Sequence, residues 1–281
     1  MNKFNIVIAA TTNQSITIHA SCFIEIVQLL QYALQDLGYE VFCAEGLRKD
    51  CVNIVLGYQY LEGRPLPKGY KYIVYQLEEL ADADAWPFMN IIETLKSPCV
   101  VWDFCEKNIE FLARQGIKAV YKPLGFHPKM RCINHKSNKD VDILFYGSKN
   151  ERRNKILSAL HNKFKLKILF GIYGQARDAW IARSKIVLSI YYYETKYFDD
   201  IRMSYLLNNK VFSIVEDSPH KKYEDFLVYV DYDEIVDACA YYLENGQVRN
   251  TIANKSYRAF SEYPEVEFIK KALSEGQNQN L

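Results

Sequence analysis

Apolar and polar positions alternate along the chain in a pattern that predicts strands and helices in turn. Short, continuous apolar runs predict buried strands, and apolar residues at three- and four-residue intervals predict helices. In the first half, strands are predicted at residues 4–10, 39–44, 52–58, 71–79, 99–104 and 118–125. Helices are predicted at 21–37, 87–95 and 106–116. Such an alternation indicates a parallel sheet covered by helices on both faces.

The alternation restarts at residue 140. Strands are predicted at 141–147, 165–171, 185–193, 211–216 and 226–230. Helices are predicted at 153–160, 178–183, 198–207, 235–243, 249–261 and 266–273. Asp231 and Glu234 have the spacing of a capping box, which would start the helix at 235.

The pattern lapses over residues 122–139, a basic and polar stretch with two prolines, which predicts an interdomain linker. We therefore expect an N-terminal Rossmann-like domain at 1–125, a linker at 126–139 and a C-terminal Rossmann-like domain at 140–281. The last helix is a candidate for packing on the N-terminal domain. Because open sheets bind ligands at the carboxyl ends of their strands, two such domains facing across a cleft would hold two substrate sites.

Composition places the chain among soluble globular proteins. Of its 281 residues, 49% are apolar and 25% charged, and the net charge of +1 means that nucleic-acid binding would need a local basic patch. The opening residues lack the form of a signal peptide, and no apolar run approaches the ~20 residues of a membrane span. We expect a cytoplasmic protein without a membrane span. The seven cysteines include no C-x-x-C pair and are expected to be reduced and mostly buried.

The segment DVDILFYGSKNERR at residues 140–153 contains the strongest single motif. A predicted strand ends at Gly147 and Ser148, and a predicted helix begins beside Arg152 and Arg153. Cations in a first helical turn oppose the helix dipole, but together with backbone N–H groups they suit a phosphate. Solvated arginines on a helix surface are an equally good explanation of the motif alone.

A longer series of segments resembles a known family. The series consists of YKYIVYQLEEL, VWDFCEKNIEFL, VYKPLGFHP, VDILFYGSKNERR, LFGIYGQARDAWIARSKIVLSIYYYE and DIRMSYLLNNKVFSIVEDS. It is similar to the CgeB-like and group-1-like GT-B glycosyltransferases of bacteria and viruses. The resemblance implies two Rossmann-like domains, a nucleotide-diphosphate sugar as donor in the C-terminal domain, an acceptor in the N-terminal domain, and no essential metal or other cofactor. The implied activity is transfer of a hexose or pentose to an acceptor hydroxyl.

The resemblance also implies roles for individual residues. Gly147, Ser148, Arg152 and Arg153 would lie beside the donor diphosphate. The segment 171–177 would meet the base and ribose. Its candidate residues are Tyr173, Gly174 and Arg177.

One position departs from the group-1 pattern. Glu194 matches the first of two glutamates that hold sugar and ribose hydroxyls in group-1 enzymes, but the second position holds Arg202. An arginine cannot accept hydrogen bonds from hydroxyls, although it can bind a phosphate with two N–H groups. We therefore expect Arg202 at the diphosphate and Glu216 at the hydroxyls. Lys196 is a further candidate, because cations would stabilise the negative charge of the leaving nucleoside diphosphate.

Acceptor-side candidates are fewer. His19 flanks the first helix, and Glu78 and Asp103 end predicted strands, where a general base would be suitably placed. His127, in the GFHP segment, is a further candidate, although a lone histidine is more often structural. The spacing of these residues does not distinguish inverting from retaining chemistry.

Several alternatives stay open at the level of sequence. Three D-x-D pairs, Asp82–Asp84, Asp140–Asp142 and Asp231–Asp233, have the form of a GT-A metal site but precede predicted helices or a strand, where capping explains them. A nucleotide-sugar-modifying enzyme such as an epimerase, or a non-catalytic module that binds nucleotide sugars or glycans, would have similar motifs. The acceptor could be a glycan, a protein, a small molecule or a modified nucleobase.

Overall fold

The computed structural model describes residues 3–9, 20–80 and 91–277. The chain forms two compact units: unit 1 consists of Met1–His127 and Pro264–Leu281, and unit 2 of Pro128–Tyr263. Residues 128–139, within the expected linker, thus belong to unit 2, and the end of the chain belongs to unit 1. None of the helices within the described ranges is long and apolar enough to cross a membrane.

Unit 1 is built on a six-stranded parallel sheet in the order β2-β1-β3-β4-β5-β6. Its strands are β1 (Lys3–Ile8), β2 (Glu40–Cys43), β3 (Val52–Leu56), β4 (Lys71–Gln76), β5 (Val100–Asp103) and β6 (Ala119–Tyr121). The helices that follow in sequence are α1 (Ile24–Asp36), α2 (Ile91–Leu95) and α3 (Glu106–Arg114). Every residue of β3 is buried, as expected of a central parallel strand covered on both faces.

Unit 2 contains a five-stranded parallel sheet in the order β11-β10-β9-β7-β8. Its strands are β7 (Val141–Tyr146), β8 (Leu166–Leu169), β9 (Ser184–Ser189), β10 (Ser213–Glu216) and β11 (Val228–Val230). Its helices are α4 (Glu151–His161), α5 (Gly174–Arg183), α6 (Asp200–Asn208), α7 (Ile235–Glu244) and α8 (Gly246–Phe260). Counted from the first strand of each unit, both sheets begin in the order 2-1-3-4-5, so the two units repeat one Rossmann-like topology.

The core of unit 2 fixes the positions of β7 and β9. Phe145 on β7 and Leu188 on β9 are fully buried and pack with Leu157 of α4 in one apolar cluster. Since these two strands are also neighbours in the sheet, their carboxyl ends are held side by side. The loops that follow them are therefore attached to the packed core of the unit.

The predicted capping box at Asp231 and Glu234 is wrong. Asp231 makes no side-chain cap hydrogen bond, and the chain forms a 3-10 turn over Tyr232–Glu234 before α7 begins. The expectation of mostly buried cysteines is also wrong. All seven are thiols within the described residues, but only Cys51 and Cys239 are buried.

The last helix, α9 (Glu265–Gln277), belongs to unit 1 and is tied to it by a buried ion pair. Glu265 and Lys122 are both fully buried, and the ammonium of Lys122 donates to the Glu265 carboxylate. The second carboxylate oxygen accepts the N–H of Gly125 at 2.6 Å, and the N–H of Glu265 donates to the carbonyl of Phe126 at 2.8 Å. Burial raises the pKa of Glu265, and Lys122 opposes that rise.

Candidate functional site

The candidate site lies at the carboxyl edge of the sheet in unit 2, where the strand order reverses. β7 and β9 are neighbours, although β8 lies between them in the sequence and on the other side of β7 in the sheet. Open α/β sheets bind their ligands at such a switch point. The loops after β7 and β9 therefore form the expected binding position.

Gly147 follows β7 and opens the turn into α4. Its φ of +135° lies in the region that favours glycine, and its N–H donates to the carbonyl of Leu169 at 3.0 Å. Asn150 then caps α4, because its side chain accepts the backbone N–H of Arg153 at 2.9 Å. Because of this turn, the side chain of Arg153 folds back towards Ser148, and its Nη1 donates a hydrogen bond to the Ser148 carbonyl at 2.8 Å.

Arg153 joins the ends of the two strands. Its Nε donates to the carbonyl of Ile190, just beyond β9, at 3.0 Å, and Nη2 donates to the same oxygen at 2.5 Å. The residue is only 6% exposed. Burial, and then the neighbouring charge of Arg202, lowers the pKa of Arg153 to about 10, so the guanidinium is still charged at neutral pH.

Arg202 approaches the same turn from the first turn of α6. Asp199 caps that helix by accepting the N–H of Arg202 at 3.0 Å, and the Nε of Arg202 lies 3.3 Å from Oδ2 of Asp199. That approach is not aligned as a hydrogen bond. The Nε and Nη1 atoms of Arg202 are buried and have no hydrogen-bond partner among the described residues. Buried donors in this state are rare in native proteins, so these two nitrogens mark the turn as a candidate anion-binding position.

A buried carboxylate organises the third arginine. Glu216 ends β10, is fully buried, and accepts both terminal nitrogens of Arg152, the Nη1 contact being 2.7 Å. It also accepts the N–H of Tyr191 at 3.1 Å, and the ammonium of Lys196 lies 3.1 Å from its Oε1. The ring of Tyr232 lies 4.2 Å beneath the guanidinium carbon of Arg152. Glu216 thus fixes two cations beside the switch point, and its oxygens are committed to them.

Glu194 is placed differently from Glu216. Its carboxylate lies 3.5 Å from Nε of Arg152, but its side chain is 81% exposed. A nearby exposed ring belongs to Tyr192, 5.2 Å from the guanidinium carbon of Arg153. Glu194 therefore retains carboxylate surface that can accept from a ligand, which the fully buried Glu216 lacks.

The segment at 171–177 forms the start of α5. Tyr173 is its N-terminal flanking residue, in extended conformation, and Gly174 begins the helix with a φ of +55°. Arg177 is buried and donates to Asp178 at 2.9 Å. Its guanidinium carbon lies 5.4 Å from the ring of Tyr146, and that of Arg202 lies 4.9 Å from the same ring. We call Arg152, Arg153 and Arg202 the arginine cluster. The structure thus brings Arg177 to the edge of this cluster, with its charge already compensated by Asp178.

In unit 1, two of the proposed acceptor-side residues meet at the carboxyl edge of the sheet. Asp103 is fully buried and accepts the N–H of Cys105 at 2.8 Å and the amide groups of Gln76 and Asn108 at 2.8 and 3.1 Å. Glu78 is partly exposed and accepts from the amide of Gln59 at 2.7 Å. The bonds of Asp103 are those of a structural carboxylate, whereas Glu78 has access to solvent.

The two histidine candidates give different outcomes. His19 lies outside the described residues. His127 is 1% exposed; its Nε2 lies 3.0 Å from Asp36 and its ring stacks on Tyr32 at 5.4 Å. These contacts give His127 a structural role in unit 1.

The D-x-D pairs within the described residues are engaged by lysines and an arginine. Asp140 pairs with Arg183, and Asp142 with Lys185 at 2.7 Å. Asp233 lies 3.8 Å from Lys155. Asp82 and Asp84 lie outside the described residues.

Three features of the site escaped the sequence analysis. Asp199 had a detectable signal, since an aspartate before a helix is a common cap. The aromatic support of Arg152 by Tyr232 and the use of the Ile190 carbonyl by Arg153 had none, because both join segments about 40 to 80 residues apart. Side-chain bonds to the backbone over such separations leave no periodic trace in a sequence.

Comparisons with known proteins agree with this architecture. No protein-family model matches the chain. An uncharacterised protein of Acanthamoeba polyphaga mimivirus is 28% identical over 173 residues, which cover 58% of this chain and 60% of that protein. The alignment therefore spans less than two thirds of the curated relative.

Solved structures with the same fold include AviGT4, a glycosyltransferase involved in avilamycin A biosynthesis. It has a TM-score of 0.57 and 11% identity over 98% of this chain and 97% of that one. A glycosyltransferase from Rickettsia africae ESF-5 gives 0.54 and 10% over 99% of both chains. TarM gives 0.53 and 13%, and the match covers 93% of this chain but 58% of TarM. At these identities the likeness shows the fold, and the chain has the two Rossmann-like domains of a GT-B protein.

Proposed function

We propose that the protein is a glycosyltransferase that takes its sugar from a nucleoside-diphosphate sugar, and that the arginine cluster of unit 2 binds the diphosphate. The observation that carries the proposal is the state of Arg202. Two of its guanidinium nitrogens are buried and have no hydrogen-bond acceptor among the described residues, although Oδ2 of Asp199 lies 3.3 Å from Nε, and the cationic Arg153 lies beside them at the switch point of the sheet.

The electrostatics of the cluster favour an anion. The buried guanidinium of Arg153 and the largely buried one of Arg202 repel each other unless an anion is shared between them, and Asp199 alone is poorly aligned with Arg202. A phosphate offers several acceptor oxygens, and a planar guanidinium can donate to two of them in parallel. It would accept the two buried donors of Arg202 and reduce the repulsion with Arg153.

The same cluster suits the chemistry of transfer. As the glycosidic bond to the donor breaks, the leaving nucleoside diphosphate gains negative charge. Arg153 and Arg202 would stabilise it directly. Arg152 and Lys196 are held nearby by Glu216, which we propose acts as a positioning residue. With these cations in place the reaction needs no divalent metal in our proposal.

The solvent exposure of the remaining candidate residues indicates which of them would contact the rest of the nucleotide sugar. Glu194, with its exposed carboxylate, is the better candidate for sugar or ribose hydroxyls. Tyr173 and Gly174, at the start of α5, are candidates for the base and ribose, as the resemblance to GT-B enzymes implies.

For the acceptor we propose Glu78 as the general base in preference to Asp103. A base must reach the acceptor hydroxyl, and the partly exposed Glu78 can do so. All of the hydrogen bonds to Asp103 described above tie it to its own unit. The chemical class of the acceptor is open.

The proposal is tested first by donor binding and then by transfer. Isothermal titration with UDP-, GDP-, ADP-, CMP- and TDP-sugars should identify one tightly bound nucleotide, with affinity unchanged by EDTA. Incubation with the donor, labelled in its sugar, should then release the nucleoside diphosphate, slowly in water and faster with an acceptor, with the label moving to a second molecule. Isomerised donor without release would indicate an epimerase, and binding without turnover a non-catalytic module. Dependence of binding or turnover on Mn²⁺ or Mg²⁺ would contradict the metal-independent part.

A further inference from the structure

A second cationic site lies at the opposite edge of the sheet in unit 2. A cavity of about 950 Å³ opens at the amino ends of the strands. Lys139 lies just before β7, Lys185 belongs to β9, and Phe212 precedes β10. The arginine cluster lies at the carboxyl ends of the same strands, so the sheet separates the two sites.

The lining of the cavity is one-sided in charge. The described residues that line it include no aspartate or glutamate, and its cations are Arg131, Lys136, Lys139, Lys185, Lys210 and Arg249. Lys185 is compensated by Asp142 at 2.7 Å. Lys139 and Lys210 have no carboxylate within ion-pair distance in the part of the chain that the structure describes, although both are partly buried.

The cations are close enough to affect one another. Burial, and then the charge of Arg249, lowers the pKa of Lys139. Burial also lowers the pKa of His135, and the charges of Lys139, Arg131 and Lys210 add to that effect. A set of like charges held together in a concave surface is destabilising without a ligand, and an anion would relieve it.

The side chain and the backbone carbonyl of Asn209 hold in place the segment that forms one wall of this cavity. Asn209, at the end of α6, accepts the N–H groups of Cys132 and Ile133 at 2.9 and 3.0 Å, and its carbonyl lies 2.8 Å from Nε2 of His135. The Nδ1 atom of His135 is buried and has no hydrogen-bond partner among the described residues. The basic stretch that the sequence presented as a linker is therefore an ordered wall of the cavity.

We propose that this cavity binds a compact ligand carrying two or more phosphate groups, at a site distinct from the arginine cluster. The volume lies within the range of small-molecule pockets. Single-stranded nucleic acid is disfavoured, because binding it usually requires exposed rings for base stacking. Among the described lining residues the rings are those of Phe212, which is 5% exposed, and His135, which is partly buried. This inference does not depend on the proposed glycosyl transfer.

The test uses inorganic triphosphate as the probe, titrated calorimetrically into the whole protein. Lys139→Gln and Lys210→Gln should each weaken triphosphate binding by about tenfold, as expected for one charge-assisted contact. The matched control is Lys118→Gln, which removes one exposed lysine from unit 1 and should change nothing. Lys136→Gln is a further variant, whose exposed side chain can be changed without disturbing packing.

A second comparison separates the two anion sites. The Lys139→Gln/Lys210→Gln protein should retain the nucleotide-sugar affinity of the wild type, and Arg202→Gln should retain a triphosphate-binding event that the double variant lacks. Undiminished triphosphate binding in a folded double variant overturns the proposal. So does loss of all triphosphate binding in Arg202→Gln, or tighter binding of a single-stranded oligonucleotide than of triphosphate.

Discussion

Gly147 leaves room for Arg202: a β-carbon added at Gly147 would lie 3.2 Å from Nη2 of Arg202. It would also lie 3.6 Å from Nη1 of Arg153. The absence of a side chain at this turn therefore lets two guanidinium groups converge above it. A glycine here has two separate functions, since its φ of +135° is also strained for any other residue.

Gly147→Ala should therefore impair both stability and donor binding. We expect a loss of about 1–2 kcal/mol in the free energy of unfolding from backbone strain, and weaker nucleotide-sugar binding because Arg202 must move. Denaturant unfolding and calorimetric titration would measure the two effects. Gly46→Ala is the control, since a β-carbon added there meets nothing within 4 Å and the residue has no positive φ. Wild-type donor affinity in Gly147→Ala would show that the spacing above the turn is unimportant.

Arg202→Ala should weaken donor binding by roughly tenfold to more than a hundredfold, which corresponds to ~1.5–3 kcal/mol for charge-assisted hydrogen bonds. Arg202→Lys should restore only part of it, because an ammonium cannot make two parallel bonds to a phosphate. The fold should be retained or stabilised, since the change removes two buried donors that have no acceptor in the described part of the chain. Arg114→Ala, on an exposed surface of unit 1, is the control. Equal donor affinity in folded Arg202→Ala and wild type contradicts the proposed role.

Glu216→Gln should be strongly destabilising. The carboxylate is fully buried and lies within ion-pair distance of both Arg152 and Lys196, and an amide would place N–H groups against their donors. Breaking a buried pair in this way costs about 3–5 kcal/mol. Glu194→Gln removes a carboxylate from the same Arg152, but at an 81% exposed position, and should cost less than about 1 kcal/mol. Thermal and denaturant unfolding of both variants would measure the two losses in stability. Losses of similar size would mean that burial does not set the strength of these pairs.

The Asp140–Arg183 pair predicts a small dependence of stability on pH. The hydrogen bond from Arg183 lowers the pKa of Asp140 to about 2, from an ordinary value of 3.8. A carboxyl whose pKa is lower in the folded state contributes stability above pH 3.8, and that contribution is lost as the pH falls towards 2. Asp140→Asn should therefore be less stable than wild type at pH 6, with a difference that shrinks between pH 4 and 2. A constant difference over that range would mean that the pair is not responsible.

The central strands of the described residues could be predicted from sequence because parallel strands buried on both faces are continuous apolar runs. Their ends could not. The strand predicted to reach residue 193 ends at Ser189, because the carbonyl of Ile190 is taken by Arg153 and the N–H of Tyr191 by Glu216. Those partners come from 37 and 25 residues away in the chain. The backbone leaves the sheet where long side chains from other elements replace strand neighbours.

In the candidate site, too, features formed by consecutive residues could be predicted, whereas features that depend on distant segments could not. The glycine turn and its arginines were visible as a motif, because the residues that form it are consecutive. The distinction between Glu194 and Glu216 was not visible, since exposure depends on which neighbouring strands cover each carboxylate. Asp103 likewise ends a strand as a base would, yet Gln76 and Asn108 enclose it from other segments. Residue type and strand position therefore predict where a site lies better than they predict which of its carboxylates reaches a ligand.

Lys122 and Glu265 should stabilise the fold mainly through their interaction with each other, so that replacing both costs less free energy of unfolding than the two single replacements added together. Lys122→Met removes the cationic partner of a buried carboxylate that also accepts the N–H of Gly125, and Glu265→Gln removes the anionic partner of a buried ammonium above the ring of Tyr75. Each single change should cost about 3–5 kcal/mol, because an uncompensated charge is left in the interior. The double variant removes both charges and should regain much of that loss.

A double-mutant cycle in urea measures this coupling directly. The exposed pair Lys107 and Glu110, treated with the same two substitutions, is the control and should give a coupling below about 1 kcal/mol. Because Glu265 begins the last helix, the single variants should also expose α9 to hydrogen exchange before the rest of unit 1. Additive losses in the double variant, or uniform exchange throughout unit 1, would show that the pair does not hold the end of the chain in place.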